Sequence, residues 1–180
     1  MAQQIANSWY LYGRGSVQII RDVDVLDGIT ARYNLIVLGD PRVNQYTLSR
    51  TKAGTSKLLQ FLPDGGIQIR DSVFNSPGTG SIFLAPSSAR TRLGLFITGI
   101  DADGLLRALW TIPFRTGIQV PDYTIMSEEY GDPCTGWMSK SGIDGEPKTK
   151  GIGGILALGY WNFEWNFLES AGFRGGSDPI

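Results

Sequence analysis

The sequence predicts an α/β fold: a mainly parallel, doubly wound sheet of the Rossmann or flavodoxin kind, with few helices and long loops. Three observations carry that expectation. Several segments, such as "NLIVLG" (34–39) and "LGLFITGI" (93–100), are continuous apolar runs, as expected of strands buried on both faces. The second run leads straight into an amphipathic helix. A strand-like segment, "YTIMS" (123–127), then closes a strand–helix–strand unit of about thirty-five residues, the spacing of a right-handed parallel crossover.

Taken in order, the strand-like segments are "VQIIRDV" (17–23), "NLIVLG" (34–39), "GIQIR" (66–70), "SIFLA" (81–85), "LGLFITGI" (93–100), "YTIMS" (123–127) and "GILALGYW" (154–161). "GIQIR" alternates, which suits an edge strand or a hairpin with "SIFLA" across the turn-rich "NSPGTG". Asp101 is placed to cap the helix that follows the fifth segment, and Asp103 adds negative charge at its positive end. Leu105, Leu109 and Ile112 recur at helical spacing, flanked by Leu106 and Trp110, and Pro113 closes or kinks the last turn. A weaker helix falls within 44–61. The stretch 128–153 is polar and rich in turn formers, a long loop of the kind that serves function or disorder. With no repeat and no internal boundary, residues 1–180 read as one domain.

Composition narrows the chemistry. Sixteen basic and seventeen acidic residues give a net charge of −1, which offers no electrostatic footprint for nucleic acid. Cys134 is alone, so neither an intrachain disulfide nor a CxxC motif can be drawn. The opening "MAQQIANSWY" lacks a basic stretch followed by an apolar one and does not read as a signal peptide. No run reaches the length of a transmembrane helix. The chain contains no His, which excludes a Ser-His-Asp or Cys-His relay within it and any His-ligated metal site.

The remaining motifs are weak. "SRTK" (49–52) has the S-x-x-K spacing of acyl-enzyme hydrolases, but its companion elements are absent. "GRGS" (13–16) and "GIGG" (151–154) are glycine-rich without a G-x-G-x-x-G or Walker pattern, so turn geometry is the better reading and no cofactor is expected. No G-x-S-x-G elbow occurs, and no catalytic or metal-ligating residue is assigned. Two places remain as candidates for a ligand or partner. Asp40 and Asn44 follow a buried strand, where α/β sheets open their crevices; a turn and a helix cap are the plainer roles. "GYWNFEWNF" (159–167) gathers five aromatics, and Trp161, Asn162, Glu164 and Trp165 suit a sugar or peptide surface, or an aromatic lid that docks on a neighbouring domain.

Five blocks carry a family resemblance: "SWYLYGRG" (8–15), "NLIVLGDPRVN" (34–44), "GTGSIFLAP" (78–86), "LGLFITGIDADGLLRALWTIPFRTGIQVPDYTIM" (93–126) and "GIGGILALGYWNFEWNF" (151–167). Together they resemble the C-terminal region of fungal α/β-hydrolase-like proteins of the prolyl-oligopeptidase/esterase type. In that family the Ser elbow and His lie in a domain preceding this region, so the resemblance carries over no catalytic residue. "LGDP" stands where the family has paired glycines, and 128–153 is an insertion. The resemblance implies a C-terminal module of a larger hydrolase-like protein, secreted in its complete form, with a hydrolase catalytic domain as partner in cis or in trans. Three functions follow as expectations: a non-catalytic accessory module, a fragment of a peptidase or esterase whose activity lies elsewhere, and a stand-alone carbohydrate or small-ligand binder.

Overall fold

Burial along consecutive residues of the central strands, such as all four residues of Tyr123–Met126, shows a sheet covered on both faces. The structure, a computed structural model, describes residues 1–25, 27–52, 59–87, 90–112, 121–130 and 154–174. In chain order it comprises α1 (Ala2–Gly13), a 3-10 turn (Asp22–Asp24), α2 (Asp27–Arg32), β1 (Leu35–Leu38), α3 (Gln45–Lys52), β2 (Gln60–Phe61), β3 (Ile67–Ile69), β4 (Ser72–Phe74), β5 (Gly80–Pro86), β6 (Leu93–Gly99), α4 (Ala102–Leu109), β7 (Tyr123–Met126), β8 (Ile155–Trp161) and β9 (Phe167–Arg174). Six strands form one sheet in the order β1-β6-β5-β7-β8-β9, and β2-β3-β4 form a separate small sheet.

The sheet is mixed and mostly antiparallel, which corrects the doubly wound parallel expectation. Among the described residues only β1 and β6 pair in parallel, with Leu35 opposite Gly94. The β5–β6, β5–β7, β7–β8 and β8–β9 pairs are all antiparallel. The physical reason lies in the cover. One face of the sheet is closed by α4 and by Ile5 of α1, packed with Ile82, Ile97 and Met126. The other is closed by α3 and the small sheet, where Tyr46, Ile67, Ile69 and Phe74 meet Val37, Phe83, Phe96, Tyr123 and Ile125. Two covered faces produce continuous apolar strands whichever way the neighbours run. Each fully buried Ile, such as Ile97 and Ile125, contributes roughly 1.5–3 kcal/mol.

The strand–helix–strand unit is corrected in the same way. Because β5 is antiparallel to both β6 and β7, those two run in the same direction, but β5 lies between them. Two further expectations change. Residues 17–21 form no strand, and Ile19 and Ile20 stand exposed. β3 pairs with β2 and β4 rather than with β5.

The helix after β6 forms as its sequence demands. Asp101 Oδ1 accepts the Gly104 N–H at 2.8 Å, an N-cap bond, and Asp103 sits in the first turn. α4 buries Ala108 and Leu109 and leaves Leu106 and Trp110 partly exposed. It ends at Leu109, ahead of Pro113, which lies outside the described residues. Its contact with β5 is backbone on backbone: a Cβ at Gly104 would strike the Thr79 carbonyl.

Candidate functional site

The turn after β1 places Asp40 at the C-terminal end of the parallel pair, as the sequence expectation had it. There it is held by its neighbour Arg42. The Asp40 side chain is only 4% exposed. Oδ1 accepts the Arg42 backbone N–H at 2.7 Å, and Oδ2 accepts Nε at 3.1 Å and also Nη2. The same guanidinium donates to the carbonyls of Asp64, in the β2–β3 turn, and Ile100, at the end of β6. The hydrogen bond it donates to Asp40, helped by the charges of Asp40, Asp64 and Asp101, raises the Arg42 pKa above its already high value. Gly65, at φ +87°, lies flat on the guanidinium, where a Cβ would collide with it. Arg42 thus ties the small sheet to the end of the main one.

Asn44 is equally engaged. Its Oδ1 accepts the Thr47 N–H at 2.9 Å, and its Nδ2 donates to the Leu38 carbonyl at 2.9 Å. It caps α3 and fastens that helix to β1. Beside this turn, Asp101 accepts N–H bonds from Gly104 and Gly78, and these hold its carboxyl below the usual aspartate range. Asp40 is thus bonded to Arg42, while Asn44 and Asp101 are bonded to nearby backbone groups.

The aromatic segment divides between core and surface. Trp161 is buried, stacks on Tyr123 at 4.7 Å between ring centres and meets Phe167 edge-on at 4.9 Å. Its Nε1 donates to the Leu84 carbonyl at 3.0 Å. Arg70 lays its guanidinium over Phe167, 4.4 Å from the ring centre, a cation–π contact. Beyond Trp161 the chain turns back into β9. Asn162 organises that turn: its N–H donates to the Asn166 carbonyl, and its Oδ1 accepts the N–H groups of Glu164 and Asn166 at 2.9 and 2.8 Å. Glu164 is exposed and accepts from Asn166 Nδ2 at 3.3 Å. Trp165 takes a left-handed backbone, φ 60°, and packs against the core. Such a conformation costs a bulky residue about 1–3 kcal/mol, offset here by ring burial. The outcome is a braced tip with Phe163 wholly exposed.

These two places do not converge. β8 lies four strand positions from β1 and runs opposite to it, so Asp40 and Trp161 stand at opposite ends of the sheet, roughly 19 Å apart laterally. A composite site of Asp40, Asn44 and the Trp161–Trp165 segment is not assembled. Ser49 of "SRTK" donates to the Tyr46 carbonyl at 2.8 Å. The Lys52 side chain, Cys134 and nearly all of the 128–153 segment lie outside the described residues. Among the described residues no group of three or more His, Cys, Asp or Glu side chains is placed to hold a metal ion. No described helix is long and apolar enough to cross a membrane.

Sequence reasoning missed Arg42, Phe163 and the exposed aromatic end of α1. For Phe163 a signal existed: two Asn residues flank "FEW", turn formers around an apolar tip.

No family model matches the chain, and no solved structure matches it. Over 132 residues it is 33% identical to an uncharacterised secreted protein of Arthroderma benhamiae. That match takes in 73% of this chain but 12% of the relative, so the chain spans a small part of that protein's length.

Proposed function

We propose that this chain is a non-catalytic interaction module that docks on a neighbouring domain through the β8–β9 hairpin. One observation carries the reading: Phe163 is fully exposed on a turn in which the backbone N–H groups of Glu164, Trp165 and Asn166 all bond back to Asn162. Aromatic anchors projecting from rigid elements are the usual energetic centre of protein interfaces. The length of the secreted relative supports a module within a larger, secreted polypeptide. The resemblance to hydrolase C-terminal regions supports a hydrolase-like domain as the partner. The inward commitment of Asp40, Asn44 and Asp101 supports a non-catalytic role.

The test is a photo-reactive phenylalanine analogue at position 163, introduced into the protein in its native source. Cross-links to a domain carrying a Ser elbow are expected, while Phe163→Ala keeps the fold, changing stability by less than about 0.5 kcal/mol. A serine-directed covalent probe is expected to leave this chain unlabelled. Cross-links to glycans alone, or labelling of the chain, would sink the reading.

A further inference from the structure

The geometry points to α1 as a strap: a helix that lifts off a body which keeps its fold, and in doing so uncovers an apolar site on the sheet. A free helix of about twelve residues is marginal in water, so caps, charges or packing must hold it. The first turn of α1 has no side-chain cap bond and no acidic residue, and its last turn has no basic one. Asn7, Ser8, Tyr10, Tyr12 and Gly13 are indifferent or poor helix formers. Among the described residues no hydrogen bond or ion pair joins α1 to another element. Packing is left. It comes to Ile5, the one buried residue of α1, with Ala2, Ala6 and Ser8 half-buried beside it. Burying one isoleucine favours the closed state on the order of ten- to a hundredfold, and ordering the helix offsets much of that.

α4 is held otherwise. It is capped by Asp101, complemented by Asp103 and Arg107, and set backbone on backbone against Thr79. The chain leaving α1 has the form of a hinge. Arg14 takes a left-handed backbone, φ 51°, between Gly13 and Gly15, and residues 14–21 belong to no helix or strand. Trp9 leans on this exit: a Cβ at Gly15 would stand 2.8 Å from its indole nitrogen. Beyond it, Asp22 Oδ2 accepts the N–H of Gln45, the first residue of α3, at 2.6 Å. That bond pins the root of the strap to the body. Packed with Ile5 are Ile82, Ile97 and Met126, each no more than 3% exposed, with half-buried Ile36, Leu38 and Leu95 around them. α1 takes no part in either sheet, so lifting it bares this cluster and breaks no ladder bond.

Hydrogen exchange of the full chain, read by mass spectrometry under native conditions, tests this. Amides 5–13 are expected to exchange at least about a hundredfold faster than amides 105–109. Ile5→Ala raises the α1 rates about another tenfold and leaves those of α4 unchanged. Asn7→Ala, at an exposed position, lowers them about threefold. Ile5→Asp holds the strap open: the variant stays folded, keeps its α4 protection and binds the apolar dye anilinonaphthalene sulfonate more strongly than wild type. α1 amides as protected as those of α4 overturn the inference. So does an Ile5→Ala variant whose α4 amides speed up together with those of α1, which makes the helix part of the core. An Ile5→Asp chain that unfolds, or folds without added dye binding, overturns it as well.

Discussion

Two turns, at opposite ends of the sheet, use the same chemistry to opposite effect. Around Asp40 the side-chain carboxylate, a guanidinium and two backbone carbonyls close upon one another. Around Asn162 one side-chain amide accepts two of the turn's N–H groups, and an aromatic ring is left in solvent. The first turn uses its polar groups to tie the small sheet to the main one; the second uses them to hold an apolar tip outward. Polar residues at a strand end therefore do not by themselves mark a site. What matters is whether their bonding leaves something turned toward solvent.

The sharpest way to break this contrast is Arg42→Ala. It strands the buried Asp40 carboxylate and detaches the β2–β3 turn. Because the Arg42 side chain is 41% exposed, the expected loss is about 2–3 kcal/mol, below the range for fully buried pairs. Urea unfolding measures it, with faster amide exchange at Gly65 and Leu62. A loss under about 0.5 kcal/mol would mean the clamp is incidental.

At the other end, Asn162→Ala removes the acceptor for two turn N–H groups and is expected to cost about 1–2 kcal/mol. The effect stays local, seen as faster exchange of the Glu164 and Asn166 amides. If instead the whole sheet loosens, the hairpin is part of the core and not a presenting device.

The smallest effect belongs to Asp101. Its lowered carboxyl pKa stabilises the fold above the ordinary aspartate value, and that stability is lost as pH falls through the folded-state value. Asp101→Ala is expected to cost about 1 kcal/mol at neutral pH and to converge on wild type in acid. Asp101→Asn keeps an N-cap and should flatten the acid limb. Thermal melts against pH read both variants, and parallel curves for all three proteins would refute the linkage.

Much of the strand inventory was legible because apolar runs mark burial. "NLIVLG", "SIFLA", "LGLFITGI", "YTIMS" and "GILALGYW" all became strands. Their directions were not legible, since a strand covered on both faces reads alike beside a parallel or an antiparallel neighbour. "VQIIRDV" has strand composition but no partner ladder, and composition cannot supply one. β2 and β4, two and three residues long, are too short to show a period. Asp40 was placed correctly at a strand end. Its fate turned on Arg42, two residues on, whose reach to Asp64 and Ile100 is a property of the fold and not of local spacing.

The position of β5 between β6 and β7 has a kinetic consequence. β5 and β6 are joined by a short connection, with Pro86 opposite Leu93, so their pairing closes a small loop and forms early. β1 has only β6 as a ladder neighbour and must wait for it, since Leu35 meets Gly94 across a long intervening chain. On a ribosome, the segment carrying β1 emerges first yet finds its place only after β6 has been made. Until then the Leu35–Leu38 edge stands unpaired. Loop-closure entropy therefore predicts that folding starts in the middle of this chain and reaches β1 afterwards.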